Sequence, residues 1–259
     1  MRSAKSAWIG VGVIGLAMSA FAREARADQS EMLETRGQQK GRSAQNFEIE
    51  ARAALYQPLI DSDPSLTPGA TPYKDSFGSS ARVELALEFD WQALRIPHFG
   101  TIGPGVSIGY TSISGNAPRV DGGLPKSEET TTLEILPLYA VGVMRVDALM
   151  RDLRVPLVPY AKAGLGMALW RASNTAGTSV SPGGTVGRGH TFGPQFALGV
   201  QFALGVLDPH AAQQLDESTG INNTYLFGEL MLSELTGIGQ DHPLYVGTNT
   251  FAFGLAFEF

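Results

Sequence analysis

The 259-residue chain contains no cysteine. Neither a disulfide nor a thiolate metal site is therefore available to it outside a reducing compartment. Charged residues make up only 17%, and 19 Lys and Arg against 25 Asp and Glu give a net charge of −6, which disfavours nucleic-acid binding. Only four histidines are present. After residue 22 no charge-free apolar run approaches the roughly 20 residues that a membrane-crossing helix needs. If the mature chain enters a bilayer, it does so as strands.

What is present begins with a secretory pattern. Residues 1–27 read as a signal peptide: Arg2 and Lys5, an uncharged apolar run from Ala7 to Ala22, then Ala-x-Ala cut sites ending at Ala22 or Ala27, the second preferred. Its removal takes four of the 19 basic residues and one of the 25 acidic ones, leaving the mature chain at −9. Residues 28–45 are polar and aperiodic and read as a flexible periplasmic leader. The remainder, 46–259, suits one all-β domain.

The last nine residues set the theme. Phe251, Phe253, Leu255, Phe257 and Phe259 alternate with Ala252, Gly254, Ala256 and Glu258, so one face of a strand is large and apolar while the other is small or charged. Exposed to water, such a strand is an aggregation hazard. In a bilayer it must belong to a closed barrel, because open sheet edges leave backbone groups unpaired. Gly254, Phe257 and Phe259 also have the spacing of the terminal signal read by barrel-assembly machinery.

Seven earlier segments repeat the alternation. Phe47, Ile49, Ala51, Ala53 and Leu55 oppose Glu48, Glu50 and Arg52 over 46–56, and Val83, Leu85, Leu87, Phe89 and Trp91 oppose Arg82, Glu84, Glu88 and Asp90 over 82–91. Weaker runs lie near 105–111, 131–147, 158–170, 195–204 and 225–233. The fourth carries Leu133, Ile135, Tyr139, Val141 and Val143 as its apolar set, and Pro137 predicts a bulge there. The pattern predicts an all-β fold: an eight-stranded antiparallel up-and-down transmembrane β-barrel with periplasmic termini and long outer loops. Asp208-Pro209 followed by Gly220 predicts one short periplasmic helix, and helix-like pieces are also expected within 92–104 and 148–157.

Residue size assigns the faces. An eight-stranded interior has room only for side chains, so the Gly, Ala and charged set points inward and the Phe and Leu set outward to lipid. The inward polar cluster comprises Glu48, Glu50, Arg52, Arg82, Glu84, Glu88, Asp90, Lys162, Glu229 and Glu258. Away from water these charges must be paired, and a packed polar plug is favoured over an ion path.

Several segments carry a resemblance. Thr71-Pro-Tyr-Lys-Asp-Ser-Phe-Gly78, Ser127-Glu-Glu-Thr130 leading into Leu136-Pro-Leu-Tyr139, Pro156-Leu-Val-Pro-Tyr-Ala-Lys-Ala-Gly-Leu-Gly166, and Leu207-Asp-Pro209 to Gly220-Ile-Asn-Asn-Thr-Tyr-Leu-Phe227 together resemble an uncharacterised outer-membrane β-barrel family found in myxobacteria. The resemblance implies location and fold, and no assigned catalytic or ligand-binding residues.

No enzyme, cofactor or metal motif is recognisable. His190 and His242 are placed near outer loops with Ser179, Ser181 and Asp241 as conceivable partners, and His98 and His210 on the periplasmic side, none with triad spacing. Asp61, Asp63 and Asp75 could gather a hard cation but lack the spacing of a calcium loop. Gly122-Gly123, Gly183-Gly184 and Gly187-Arg188-Gly189 are turn chemistry. The expected partners are outer-membrane lipid and the assembly machinery, with no nucleic acid. The expected role is a structural or surface-interaction scaffold, with a narrow conduit for small apolar compounds and a lipid-acting enzyme as alternatives.

Overall fold

The computed structural model describes residues 46–116, 130–175, 177–180, 184, 186–241 and 243–259. The signal segment, the leader, Gly122-Gly123, Ser181 and His242 lie outside them. Ten strands form in chain order: β1 (Phe47–Tyr56), β2 (Arg82–Trp91), β3 (Leu94–Ile96), β4 (Gly100–Asn116), β5 (Thr130–Arg145), β6 (Leu157–Asn174), β7 (Gly177–Thr178), β8 (Arg188–Ala203), β9 (Asn223–Ser233) and β10 (Thr248–Glu258). β3 pairs only with the foot of β4, and β7 only with the top of β6. The other eight are the staves. Each is antiparallel to its neighbours, β2 pairs with β4, and β1 pairs with both β2 and β10, so the sheet closes on itself. Closure leaves no free edge.

The closing seam joins the two ends of the described chain. Phe259 accepts at its carbonyl from the amides of Asn46 at 2.7 Å and Phe47 at 3.1 Å, and donates to the Phe47 carbonyl at 2.8 Å. Arg52 faces Gly254 in the ladder between β1 and β10. A Cβ on Gly254 would lie 2.0 Å from the Ala51 carbonyl oxygen, so the close approach of the two strands requires glycine there.

Side-chain direction follows the expected period of two in seven staves. Along β2, for example, Val83, Leu85, Leu87, Phe89 and Trp91 are exposed while Glu84, Ala86, Glu88 and Asp90 are buried. The exception is β5. Its Leu133, Ile135, Tyr139, Val141 and Val143, the apolar set whose direction the sequence left open, point inward. With Tyr56, Ile113, Ala168, Leu235 and Val246 they form an apolar core inside the barrel toward the long-loop end. Both faces of β5 are apolar, so alternation alone could not assign its phase.

Pro137 does not produce a bulge. Ile108 pairs with Leu138 and Thr111 with Ile135, so the register is the same on either side and only the rungs between are missing. On the other edge Pro137 faces Ala168 without interruption. The missing amide removes a rung on one side and shifts nothing.

Three helices cap the staves: α1 (Pro72–Phe77), α2 (Ala148–Asp152) and α3 (Pro209–Thr219). α3 is the helix that the sequence announced. The Asp208 carboxylate accepts from the Ala211 amide at 3.0 Å, and Gly220 ends the helix in the left-handed conformation. The 92–104 connection holds the small β3 ladder instead of a helix. α1 lies within the first long loop and inserts Tyr73 into the upper core. Burial lifts the Tyr73 phenol above its ordinary range, with Arg82 pulling it the other way.

Asp61 holds α1 in place. Its two carboxylate oxygens accept from the Tyr73 amide at 2.7 Å and the Lys74 amide at 3.1 Å. Asp63 accepts from the Ser65 amide, and Asp75 from the Thr71 hydroxyl. These aspartates are therefore committed to local turns and caps, which removes the calcium reading of this loop. Asp61→Ala should cost about 1 kcal/mol of local stability, read as roughly fivefold faster hydrogen exchange at the Tyr73 and Lys74 amides. Unchanged exchange would show that Tyr73 packing alone anchors the helix.

Candidate functional site

The inward faces of the staves meet in a charged layer that spans the lumen. Arg52 of β1 contacts Glu88 of β2 at 3.2 Å and Glu229 of β9 at 2.7 Å. Lys162 of β6 reaches Glu50 and Glu88 at 2.7 Å each and Glu229 at 3.6 Å. Its ammonium also lies 5.0 Å from the Tyr160 ring centre, and the Tyr160 hydroxyl donates to Glu229 at 2.9 Å. These residues come from strands on opposite walls. One network therefore braces the barrel across its interior.

A second network fills the end near the chain termini. Arg145 of β5 contacts Glu48 at 2.7 Å, Glu258 at 3.0 Å and the Gln201 amide oxygen at 2.7 Å. Gln201 donates in turn to Glu48 at 2.6 Å. Glu258 also accepts from Gln92, Asn223 and Tyr225. Arg145 was missing from the sequence assignment because the phase of its strand was unresolved. The available signal was its parity with Tyr139, Val141 and Val143, once one of those is known to point inward.

Of the sequence-assigned cluster, Glu48, Glu50, Arg52, Glu88, Lys162, Glu229 and Glu258 take part in these two networks. Arg82 is not. It sits half-buried at the mouth of the barrel, and its guanidinium donates to the Ser80 carbonyl at 3.1 Å. Position near the end of a stave, where water is reachable, overrides parity. Glu84 and Asp90 point inward, but none of their carboxylate oxygens has a hydrogen-bond partner.

Glycines make room for these groups. A Cβ on Gly105 would lie 2.1 Å from an Asp90 oxygen, and one on Gly199 would lie 2.4 Å from the Tyr160 ring. The small residues of the inward face thus provide the space that larger neighbours occupy. The lumen is filled: Glu48, Glu50, Glu84, Tyr56 and Tyr225 are each no more than 1% exposed. Side chains of this size fill an eight-stranded interior.

The layer is acidic in balance. Glu48, Glu50, Glu84, Glu88, Asp90, Glu229 and Glu258 face Arg52, Arg145 and Lys162. Oxygens of Glu48, Glu50 and Asp90 lie within 4.8 Å of one another. Glu48 is already held by Arg145 and Gln201, and Glu50 by Lys162, so this trio is the acidic flank of the ion-pair network. Removing the surplus charge should therefore help. Asp90→Asn is expected to raise the stability of the refolded barrel by about 1 kcal/mol, seen as a higher urea midpoint in vesicles. A lower midpoint would show that Asp90 is itself compensated by a bound cation or ordered water.

Of the candidate catalytic groups, His98, His190, Ser179 and Asp241 lie among the described residues. His190 lies on the outer wall with its ring edge to face against Phe192, 5.4 Å between centres, and its carbonyl accepts from Gln240. Among the described residues no serine or aspartate side chain is hydrogen-bonded to its ring. His98 contacts Asp152 at 3.5 Å on the exposed opposite rim, at the foot of the β3 ladder.

No protein-family model matches the chain, and no curated protein matches it. Solved structures do. Outer membrane protein OprG of Pseudomonas aeruginosa is 11% identical, with a TM-score of 0.46, over 85% of this chain and 98% of that one. Neisserial surface protein A is 14% identical at a TM-score of 0.45, over 84% and 100%. Outer membrane protein W of E. coli is 16% identical at 0.41, over 84% and 99%. The closure of this chain is carried by its own ladders.

Proposed function

We propose that this chain is an outer-membrane barrel that serves as a structural and surface-interaction scaffold, secreted through its signal segment and inserted from the periplasm. The observation that carries the reading is the inversion of the wall: large apolar residues on the outside, ion pairs on the inside. Leu85, Leu87, Val106, Ile108, Leu165, Leu198, Phe251 and Phe253 are all well exposed on the exterior, a surface that only hydrocarbon solvates. Between β6 and β8 the outward rows are apolar from Leu157 and Phe202 up to Met167 and Phe192. At ~3.3 Å per residue and ~40° tilt that run rises about 25 Å, the height of the apolar band of such barrels.

The termini and the shorter connections take the periplasmic side, and the long loops the outside. Gly254, Phe257 and Phe259 lie in the seam strand, where assembly machinery would engage them. The same barrel family suggested by the loop segments of the sequence is consistent with this placement. A packed lumen argues against the conduit. At the broken rungs beside Pro137 the inner side is stopped by Ile135, Tyr139 and Pro137 itself. For the enzyme reading, the absence of a partner at the His190 ring gives no support.

The test is gel mobility of the mature chain in SDS with and without boiling, combined with small-solute release from vesicles. A heat-dependent shift and tight vesicles are expected. A leaky wild-type barrel would restore the conduit, and a soluble periplasmic protein without a shift would overturn the membrane reading. Lipid hydrolysis abolished by His190→Ala or His242→Ala would restore the enzyme.

A further inference from the structure

The outward rows of the longest wall change character abruptly. Met167 pairs with Phe192, then Leu169 with His190, and the next outward row sets Arg171 directly opposite Arg188. On the other edge of β6 the same row continues through Glu134 of β5, paired with Arg171, and on to Ser112 of β4. Arg171, Arg188 and Ser112 are exposed, and Glu134 is partly buried. Two guanidinium groups thus stand side by side just above the apolar belt.

Like charges in directly opposed positions of a sheet are unfavourable. Across the other edge of β6, Arg171 has an opposite charge as its neighbour. Glu134, the one acidic neighbour in the row, accepts the Tyr110 hydroxyl at 3.1 Å. Arg171 is steadied through its Nε, which donates to the Thr178 hydroxyl at 3.1 Å, and its two terminal nitrogens have no hydrogen-bond partner among the described residues. Among the described residues neither arginine has a carboxylate within 4.0 Å. Two exposed guanidinium groups on directly opposed residues offer forked donors to a tetrahedral oxyanion.

Directly below lies an apolar crevice of about 240 Å³, walled by Tyr110, Ile135, Leu136, Leu169 and Trp170 and opening between Glu134 and Arg171. It is the place where Pro137 costs the ladder its rungs. An oxyanion receptor above an apolar slot, at the rim of a lipid-facing belt, selects an amphiphile. We infer that Arg171 and Arg188 bind the phosphate of an anionic outer-leaflet lipid, with part of an acyl chain in the crevice beneath. A free phosphate could satisfy the arginines but has nothing to place against Leu136 and Leu169.

The inference rests on the outer-membrane reading, and the experiment separates the two. Wild type, Arg171→Gln/Arg188→Gln and, as a control, Lys74→Ala would be refolded in neutral detergent micelles and checked for the heat-shifted band. Native mass spectrometry would then count bound lipid A, with phosphatidylcholine and inorganic phosphate as comparison ligands. Wild type and Lys74→Ala should retain one lipid A preferentially, and the double glutamine variant should bind it about tenfold more weakly. Equal lipid A binding by folded wild type and the double variant overturns the site. So does phosphatidylcholine binding as well as lipid A, or inorganic phosphate displacing lipid A at equal concentration. Failure of wild type to give the heat-shifted band overturns the membrane reading instead.

Discussion

Lys162→Met should destabilise the refolded barrel by about 3–5 kcal/mol, because it strips the shared cation from Glu50, Glu88 and Glu229 and leaves three carboxylates facing one another without it. Methionine retains most of the stem volume, so the loss reports charge and not a cavity. Urea unfolding in vesicles, followed by the heat-shifted band, measures it. A second substitution, Glu88→Gln, should restore a large part, since it removes one of the stranded charges and leaves Arg52 with Glu229. Arg82→Gln is the contrast. That side chain lies at the mouth, where it donates to the Ser80 carbonyl, and its loss should stay within about 0.5 kcal/mol. A small effect from Lys162→Met would mean that the carboxylates take up protons without cost and that the network is not what braces the walls.

Gly254→Val should prevent closure. Even the first carbon of a side chain would fall 2.0 Å from the Ala51 carbonyl and 3.0 Å from the Arg52 Cα, and neither is the end of a flexible side chain that can swing away. Separating β1 from β10 breaks the ladder from Glu48 to Ala54 and displaces Arg52 from Glu229. The expected penalty exceeds about 3 kcal/mol, the upper range for overpacking, and should appear as loss of the heat-shifted band in refolding from urea without any assembly factor. Phe259→Ala behaves differently under the proposed reading. Its seam contacts run through the backbone, so the variant should refold in vitro and fail chiefly in cells, where the machinery reads the terminal aromatic. If Gly254→Val refolds normally in vitro, the glycine is a recognition feature and not a steric one.

These two positions show different degrees of legibility. The alternation around Gly254 was visible in the sequence, and so was its strand, but the need for glycine arises from how near β1 comes when the sheet closes. Lys162 was placed on the inward face by parity alone. Its partners were not, because Glu50, Glu88 and Glu229 sit on three other strands and their meeting depends on the stagger of the whole barrel. Arg145 was missed and Arg82 wrongly included for related reasons. In the first case both faces of the strand are apolar; in the second, depth and not parity decides whether a charge is inside.

The sequence by itself determined the faces of seven staves, the number of staves, the closed barrel and the capped helix from Pro209 to Thr219. Each depends on a local rule: a side-chain period of two, residue size on one face, or a cap at fixed offset. Only the tertiary structure decided the inward phase of β5, the unshifted register at Pro137, the docking of Tyr73, the identity of each ion pair and the juxtaposition of Arg171 with Arg188. Those depend on which residues of distant strands lie opposite one another, and that is fixed by register around a closed sheet, a property that no single segment contains.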